Sequence, residues 1–371
     1  MVNGPGTLIT CREQASFDIQ RLNGYIRDTM TIQEILPRRM QARELIGNQW
    51  FNGGPVFLSE LHGQAALVDF WDYSCAASLH ALPYVQEWHR RYRDSGLVVV
   101  GVHTPKFQFG RDPENLGRAI ERLGIVYPVV MDNTEMIWAT YGNRSWPTKY
   151  LVDRDGYIRC QNIGEGNYRS FERSLQSLLH DAHPQEDLPD LMDPLRETDV
   201  PGVVCYRATP EVFGGYVRGS LGNVEGYLPE SDVEYQDPGF YISGRFYLQG
   251  SWRAERECTR WLGPRDEKAC LSMLYSGIAI NVVIAPPERT STRVIVEQDG
   301  RPLTADSSGD DIAVGEDGRS TLTVDMPRLF SVAKNREFGE HLLRLTPESP
   351  GTAVYSLSSG TAAIPDVFGS N

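Results

Sequence analysis

The 371-residue sequence predicts an α/β domain followed by an all-β domain of the jelly-roll type. Between residues 45 and 183, apolar strand-like runs alternate with segments of helical period, as in a sheet with helices on both faces. Residues 184–206 carry four prolines among acidic residues, a composition typical of an interdomain linker. From 207 to 371 short β-rich runs alternate with turn residues, which favours a sandwich. Residues 1–44 are a polar N-terminal extension.

The first domain is predicted from the hydrophobic period of each segment. Residues 65–71 and 97–102 are apolar, β-branched runs typical of parallel strands that are buried on both faces. Residues 75–93 between them have the period of a helix. The remaining predicted elements are helices at 16–30, 113–123, 134–141 and 167–179, a strand at 126–131, an antiparallel hairpin of 149–152 with 157–161, and second-domain strands at 240–248, 278–284, 293–298, 321–326, 341–345 and 353–357.

Composition excludes several classes of function. With 36 Lys+Arg against 49 Asp+Glu, the net charge of −13 argues against nucleic acid and against an anionic membrane surface. No apolar run approaches the ~18–20 residues of a membrane span, and the start lacks a secretory signal, so we expect a cytoplasmic protein without membrane insertion. Six cysteines are too sparse for a disulfide scaffold. The histidine spacing predicts no metal site, and we expect no cofactor.

Cys75 stands where the first strand has ended and the next helix begins. Unpaired N–H groups and the helix dipole favour an anion there, and such positions lower a thiol pKa to between about 3.5 and 7.5. A thiolate is the nucleophile of disulfide exchange. The sequence therefore predicts a reactive cysteine, with a buried structural cysteine as the alternative.

The neighbours of Cys75 carry a family resemblance. Asp69 and Trp71 precede it by six and four residues, Pro83 follows by eight, and 146–148 (Trp-Pro-Thr) stand before the hairpin. With these residues, 45–183 resembles the thioredoxin fold, more closely the AhpC/TSA-like TlpA/ResA and DipZ types of thiol-disulfide oxidoreductase. Residues 101–105, 145–153 and 164–168 are similar to the soluble C-terminal part of DipZ-type proteins.

The resemblance implies roles for particular residues. Asp69 would be the buried carboxylate, Trp71 the active-site tryptophan, and Pro147 the cis-proline whose loop abuts the nucleophile. The second domain would resemble a carbohydrate-binding module and have a carbohydrate or protein ligand. Around the nucleophile, the proposed catalytic residues are Cys75, Ser78, Asp69, Trp71 and Pro147, and the proposed substrate-binding residues are Trp146, His103 and Tyr73.

The sequence departs from the family at the second cysteine. The family has Cys-x-x-Cys, whereas Cys75 is followed by Ala76, Ala77 and Ser78, and a serine hydroxyl cannot resolve a mixed disulfide at neutral pH. Ser78 would instead hydrogen-bond the thiolate. We therefore predict exchange with protein or small-molecule thiols and disulfides through a single cysteine. The resolving thiol would be external or distant, with Cys11 and Cys205 as candidates.

Two other functions stay open. A catalytically degenerate scaffold that binds protein or carbohydrate is the main alternative. A thiol peroxidase is disfavoured, because Val68 and Asp72 stand where that family needs proline and threonine.

Several further residues receive simple interpretations. Lys106 and Lys149 are expected to be solvated surface residues, and Glu165 a turn residue. In the second domain, Tyr241, Tyr247, Trp252 and Trp261 are expected to pack rather than stack on sugars, and Cys258 and Cys270 to be unpaired thiols.

Overall fold

The computed structural model describes residues 32–34, 40–61, 63–263, 269–288 and 290–365. The helix predicted at 16–30 and Cys11 lie outside these residues. The first domain contains strands β1 Ile32–Glu34, β2 Met40–Gln41, β3 Trp50–Phe51, β4 Ala65–Trp71, β5 Leu97–His103, β6 Val129–Met131, β7 Thr148–Val152 and β8 Tyr157–Ile163, and helices α1 Ala76–Tyr92, α2 Pro113–Leu123, α3 Met136–Thr140 and α4 Tyr168–Ala182.

One mixed sheet organises this domain, in the order β1-β8-β7-β4-β5-β6-β3 with β2 also pairing with β8. The parallel pair β4–β5 and the antiparallel hairpin β7–β8 are as predicted. Strand β4 is buried on both faces. Leu67 and Trp71 pack under α1 and α4, whereas Val68 and Phe70 face α3. Because side chains alternate along a strand, Asp69 lies on the same face as Leu67 and Trp71, beneath α1.

Helix boundaries follow local chemistry. The side chain of Asp112 caps α2 by accepting the Glu114 N–H at 2.9 Å, and Pro113 occupies the first helical position, where its missing N–H costs nothing. Gly124 ends the helix with φ 65°, a conformation that glycine adopts without strain. The predicted bounds of α2, residues 113–123, agree with the structure.

The second domain is all-β, and its named strands pair in antiparallel fashion. Its strands are β9 Val212–Phe213, β10 Asp232–Tyr235, β11 Phe246–Ala254, β12 Thr259–Trp261, β13 Cys270–Ala285, β14 Thr292–Gln298, β15 Arg301–Pro302, β16 Ile312–Val314, β17 Ser320–Val324, β18 Arg328–Pro347 and β19 Ala353–Gly360. The predicted short strands at 278–284 and 341–345 are parts of β13 and β18, which have 16 and 20 residues. Along β13, Ile280, Val282 and Ile284 face the core, so the residues between them face the other way.

The two domains contact each other beside α1. Phe107, in the loop after β5, is 1% exposed and clusters with Val283 and Leu329 of the β domain. The segment 184–206 also packs on the first domain, since the Leu195 N–H donates to the Tyr84 hydroxyl at 2.7 Å. Within the described residues, no helix has the length and apolarity needed to cross a membrane.

Candidate functional site

Cys75 occupies the N-cap position of α1 in an extended conformation, with φ −101° and ψ 115°. Its N–H donates to the carbonyl of Asp72 at 3.1 Å, which closes the turn between β4 and α1. The sulfur makes no regular N-cap hydrogen bond, although the backbone N–H of Ser78 stabilises its charged form. Across the site, Sγ lies 4.0 Å from the carbonyl oxygen of Trp146, and the Trp146–Pro147 peptide bond is cis.

The expected low pKa of Cys75 is wrong for this conformation. Cys75 is only 8% exposed, and this burial raises the pKa of its thiol above the ordinary value. The ammonium of Lys106 and the N–H of Ser78 lower the pKa, while the carboxylates of Glu211 and Asp72 raise it. The helix N-terminus does not overcome desolvation, so the resting sulfur is a protonated thiol at neutral pH.

Asp72 holds the loop before Cys75, a role that the sequence analysis missed. Its carboxylate accepts the N–H and hydroxyl of Ser74 and, at 3.0 Å, the N–H of Lys106. His103 Nε2 lies 3.3 Å from Oδ2, within ion-pair range but without hydrogen-bond geometry. Burial acts to raise the pKa of Asp72, but His103 and the hydrogen bonds outweigh it and lower that pKa. A carboxylate shortly before a helix-initiating cysteine is the sequence signal from which this anchor could have been predicted.

His103 and Tyr73 do not have the substrate contacts expected of them. Both side chains are 0% exposed, and their rings stack on each other with centroids 5.3 Å apart. Trp71, 1% exposed, meets His103 edge-on at 5.5 Å. These three rings therefore form the packed support of the loop and cannot touch a substrate in this conformation.

Asp69 and Lys149 form a buried charged couple beneath the site. They stand directly opposite each other on β4 and β7, at 2% and 0% exposure, so the surface interpretation of Lys149 is wrong. Burial raises the pKa of Asp69 to about 6, even though Lys149 acts to lower it. Burial likewise lowers the pKa of Lys149. Among the described residues, neither Asp69 Oδ1 nor Lys149 Nζ has a hydrogen-bond partner.

Ser78 and Trp146 flank the cysteine, but through different atoms from those expected. The hydroxyl of Ser78 accepts the N–H of Asp72 at 3.3 Å, so it supports the loop rather than the sulfur. The indole N–H of Trp146 donates to the carbonyl of Thr104 at 2.9 Å. This bond holds the loop of Pro147 against the start of α1.

Cys75 opens onto a cleft of about 1090 Å³ between the two domains. Glu165 lines this cleft and pairs with His80 at 2.9 Å and with Arg196 at 3.4 Å, so it is more than a turn residue. Lys106, also expected at the surface, has a 5% exposed side chain and pairs with Glu211 at 2.6 Å. The lining includes Cys75, Ala76, Ala77, His80, Trp146, Glu165, Arg196, Cys205, Glu211, Asn281, Ser331 and Ser358.

Cys205, one of the two candidate resolving residues, therefore shares a cleft with Cys75. The other candidate, Cys11, is outside the described residues. In the β domain, Cys258 and Cys270 are unpaired and buried, as expected. Tyr247, Trp252 and Trp261 are at most 4% exposed and pack in the domain, and Tyr241 hydrogen-bonds Asp237 at 2.7 Å.

A mixed sheet with helices on both faces, and a cysteine at a helix start facing a cis X-Pro loop, defines a thioredoxin-like protein. Comparison with known proteins agrees: residues 41–161 match the AhpC/TSA family, and residues 209–360 match the family described as "Thioredoxin like C-terminal domain". The chain carries both domains and is homologous to DipZ and to thiol-disulfide oxidoreductases.

Individual relatives cover different shares of the chain. Protein DipZ of Mycobacterium bovis is 33% identical over 264 residues, 70% of this chain and 36% of DipZ. The chain thus spans about a third of the length of that relative. Thiol-disulfide oxidoreductase YkuV of Bacillus subtilis is 28% identical over 142 residues, 38% of this chain and 95% of YkuV. A solved structure, a putative DsbE from Chlorobium tepidum, matches with 21% identity and a TM-score of 0.35, over 39% of this chain and 99% of that chain.

Proposed function

We propose that this protein is a thiol-disulfide exchange protein in which Cys75 is the single nucleophile. The observation that carries the proposal is the placement of its sulfur at the start of α1, facing the Trp146 carbonyl and opening onto the cleft. Ser78 stands at the position of the second cysteine, and its hydroxyl is engaged with Asp72. The homology to thiol-disulfide oxidoreductases supports the same reaction class.

The reaction has two exchanges. In the first, Cys75 loses its proton and attacks one sulfur of a disulfide, forming a mixed disulfide while the other sulfur leaves as a thiolate that takes up a proton. In the second, a thiolate attacks the mixed disulfide. A low-mass thiol that enters the cleft attacks the substrate sulfur, forms a new disulfide with it and releases Cys75 as a thiolate. If Cys205 on the cleft wall acts instead, it attacks Cys75 Sγ, releases the substrate sulfur as a thiolate and leaves a Cys75–Cys205 disulfide, which two low-mass thiols then reduce as they become oxidised to their own disulfide.

The charged neighbours of Cys75 control the first exchange. Since burial raises the pKa of the thiol, only a small thiolate fraction is present at neutral pH, and the rate should increase with pH. Lys106 stabilises the thiolate electrostatically, and Glu211 opposes it. The ion pair between Lys106 and Glu211, which joins the two domains, therefore influences the thiolate fraction of Cys75.

The test is covalent trapping with glutathione disulfide, followed by intact-mass analysis and reduction of the adduct by glutathione. We expect one adduct in the wild type and in Cys258→Ser, a matched control that removes another buried thiol, and none in Cys75→Ser. Cys205→Ser identifies the resolving thiol: slower adduct release indicates Cys205, and unchanged release indicates the added thiol. An adduct of equal yield in Cys75→Ser would refute the proposal.

A binding scaffold without redox activity is the second candidate. The raised pKa of Cys75 and the serine at position 78 favour it. Alkylation of Cys75 across pH separates the two functions. A sulfur that stays unreactive even at pH values well above its pKa would support the scaffold, because burial alone would then prevent attack.

A further inference from the structure

We propose that the β domain forms one wall of the Cys75 site and restricts exchange to disulfides carried by short or unfolded peptides, excluding folded proteins. This inference rests on the proposed exchange function of Cys75. It names the substrate class that the geometry of the site admits.

The β domain contacts helix α1 directly beside the nucleophile. Ala76, the residue after Cys75, and Leu79, one turn further along α1, pack against the cluster of Phe107, Val283 and Leu329. A folded partner that approached the start of α1 would meet the β domain at this point. The β domain thus covers part of the surface on which a protein substrate would have to dock.

The contact between the two domains is closely packed around Phe107 and Lys106. Phe107 is 1% exposed, and its ring meets Tyr355 of β19 edge-on at 5.2 Å. Next to it, the ammonium of Lys106 pairs with Glu211 at 2.6 Å, and the Lys106 side chain is only 5% exposed. An apolar cluster with a nearly buried ion pair holds the wall in place, and separating the domains would expose both to water.

The β-domain side of the cleft carries a row of polar side chains. Val283 joins the domain contact, and two residues earlier on the same face of β13, Asn281 lines the cleft. Asn281 pairs in register with Ser331 of β18 and Ser358 of β19, and all three line the cleft. The polar row therefore crosses three neighbouring strands opposite the start of α1. An amide and two hydroxyls can both donate to and accept from the backbone of an extended peptide.

Beside this polar row, the cleft is lined by small residues. The neighbouring cleft residues Ala279 and Gly360 are small and leave room for a chain to lie against the strands. The wall is therefore suited to a polar ligand of slender cross-section.

The size of the cleft limits how large a disulfide carrier can be if it is to reach Cys75. Its volume of about 1090 Å³ is slightly above the roughly 300–1,000 Å³ range of small-ligand clefts. A folded domain of about 100 residues has a radius of gyration of about 13 Å and cannot enter. A tripeptide or an unfolded segment can place its disulfide against Cys75.

The experiment compares a small and a large carrier of the same activated disulfide, so that the leaving group is identical in both reactions. The full chain reacts with a cysteine peptide and with a small folded protein that carries the same cysteine sequence in a surface loop, each activated as the 5-thio-2-nitrobenzoate disulfide. Release of the coloured thiolate gives both rate constants, normalised to those for free cysteine. We expect the peptide to react at least tenfold faster than the folded carrier. Equal normalised rates would overturn the inference.

Variants of the wall test the cause. Val283→Asp places a carboxylate in the apolar contact and should increase the rate with the folded carrier at least tenfold, so that the preference for the peptide is reduced. Val314→Asp, at a 46% exposed position of β16, is the matched control and should leave both rates unchanged. Phe107→Ala opens the contact from the other side, in case Val283→Asp does not fold. An unchanged peptide preference in a folded opening variant would contradict the role of the β domain.

Failure of the proposed function gives a different result. If the wild type reacts with none of the carriers, including glutathione disulfide, then Cys75 is not an exchange nucleophile and both proposals fall. If it reacts with all of them at equal normalised rates, exchange stands and only the size restriction falls.

Discussion

Replacing Asp69 by asparagine should remove a pH-dependent loss of stability. Burial raises the pKa of Asp69 to about 6 from an ordinary 3.8, a difference of about two units. At about 1.4 kcal/mol per unit, the ionised carboxylate costs about 3 kcal/mol of folding free energy. Because the buried carboxyl of Asp69 is favoured in its protonated form, its stabilising contribution to folding is fully present below about pH 3.8. That contribution is lost as the pH rises through about 6, where the carboxyl ionises.

Asparagine keeps the size of the side chain but cannot ionise. At a pH of about 7.5, Asp69→Asn should be more stable than the wild type by up to about 3 kcal/mol, and at about pH 4 the two should be similar. The gain falls below this limit to the extent that Lys149, buried opposite, loses its counter-charge. The stability difference that is present at about pH 7.5 but absent at about pH 4 therefore measures the effect of ionising Asp69.

Hydrogen exchange in urea, followed by mass spectrometry of peptides from β4, reports the stability of the first domain alone. Asp155→Asn, an exposed carboxylate in the hairpin turn, is the control and should keep the pH dependence of the wild type. If Asp69→Asn shows the same dependence between about pH 4 and 7.5, a different group is responsible and the reasoning is refuted.

Three further predictions concern the surroundings of Cys75. Lys106→Met should raise the pKa of Cys75 and Glu211→Gln should lower it, as measured by alkylation against pH; shifts of the same sign would contradict the electrostatic assignment. Ser78→Cys should form a disulfide with Cys75 on oxidation, which mass analysis detects, and should release mixed disulfides without added thiol. If release still depends on added thiol, the geometry of the site, and not the missing second sulfur, limits the resolution of the mixed disulfide. Phe107→Ala should destabilise the protein by roughly 3–5 kcal/mol in urea unfolding, whereas a loss below about 1 kcal/mol would mean that the domain contact is loose.

Local patterns in the chain were enough to predict the central strands and the helices around Cys75 in the first domain, but not the short strands β1, β2 and β3. Strand β4 is marked by its continuous apolar run, and helix α2 by its hydrophobic period and by proline at its first position. The hairpin β7–β8 is marked by the glycine in its turn. The start of α1 at Cys75 was predictable for the same reason. In the β domain each predicted strand overlaps an observed one, but β9, β10, β12, β15 and β16 were not predicted. Strands β13 and β18 are longer than predicted because they continue through residues with weak local preference and are held by their neighbours in the sheet.

The properties of the site depended on contacts between distant segments. The sequence by itself determined which cysteine stands at the start of a helix beside the family motif, and that the second cysteine of that motif is missing. Only the tertiary structure decided that Cys75 is desolvated, that Asp69 and Lys149 face each other in the interior, and that a second domain closes over the start of α1. A pKa and the shape of a cleft are set by whatever surrounds a group in space, and for Cys75 those surroundings include Glu211, from the other domain.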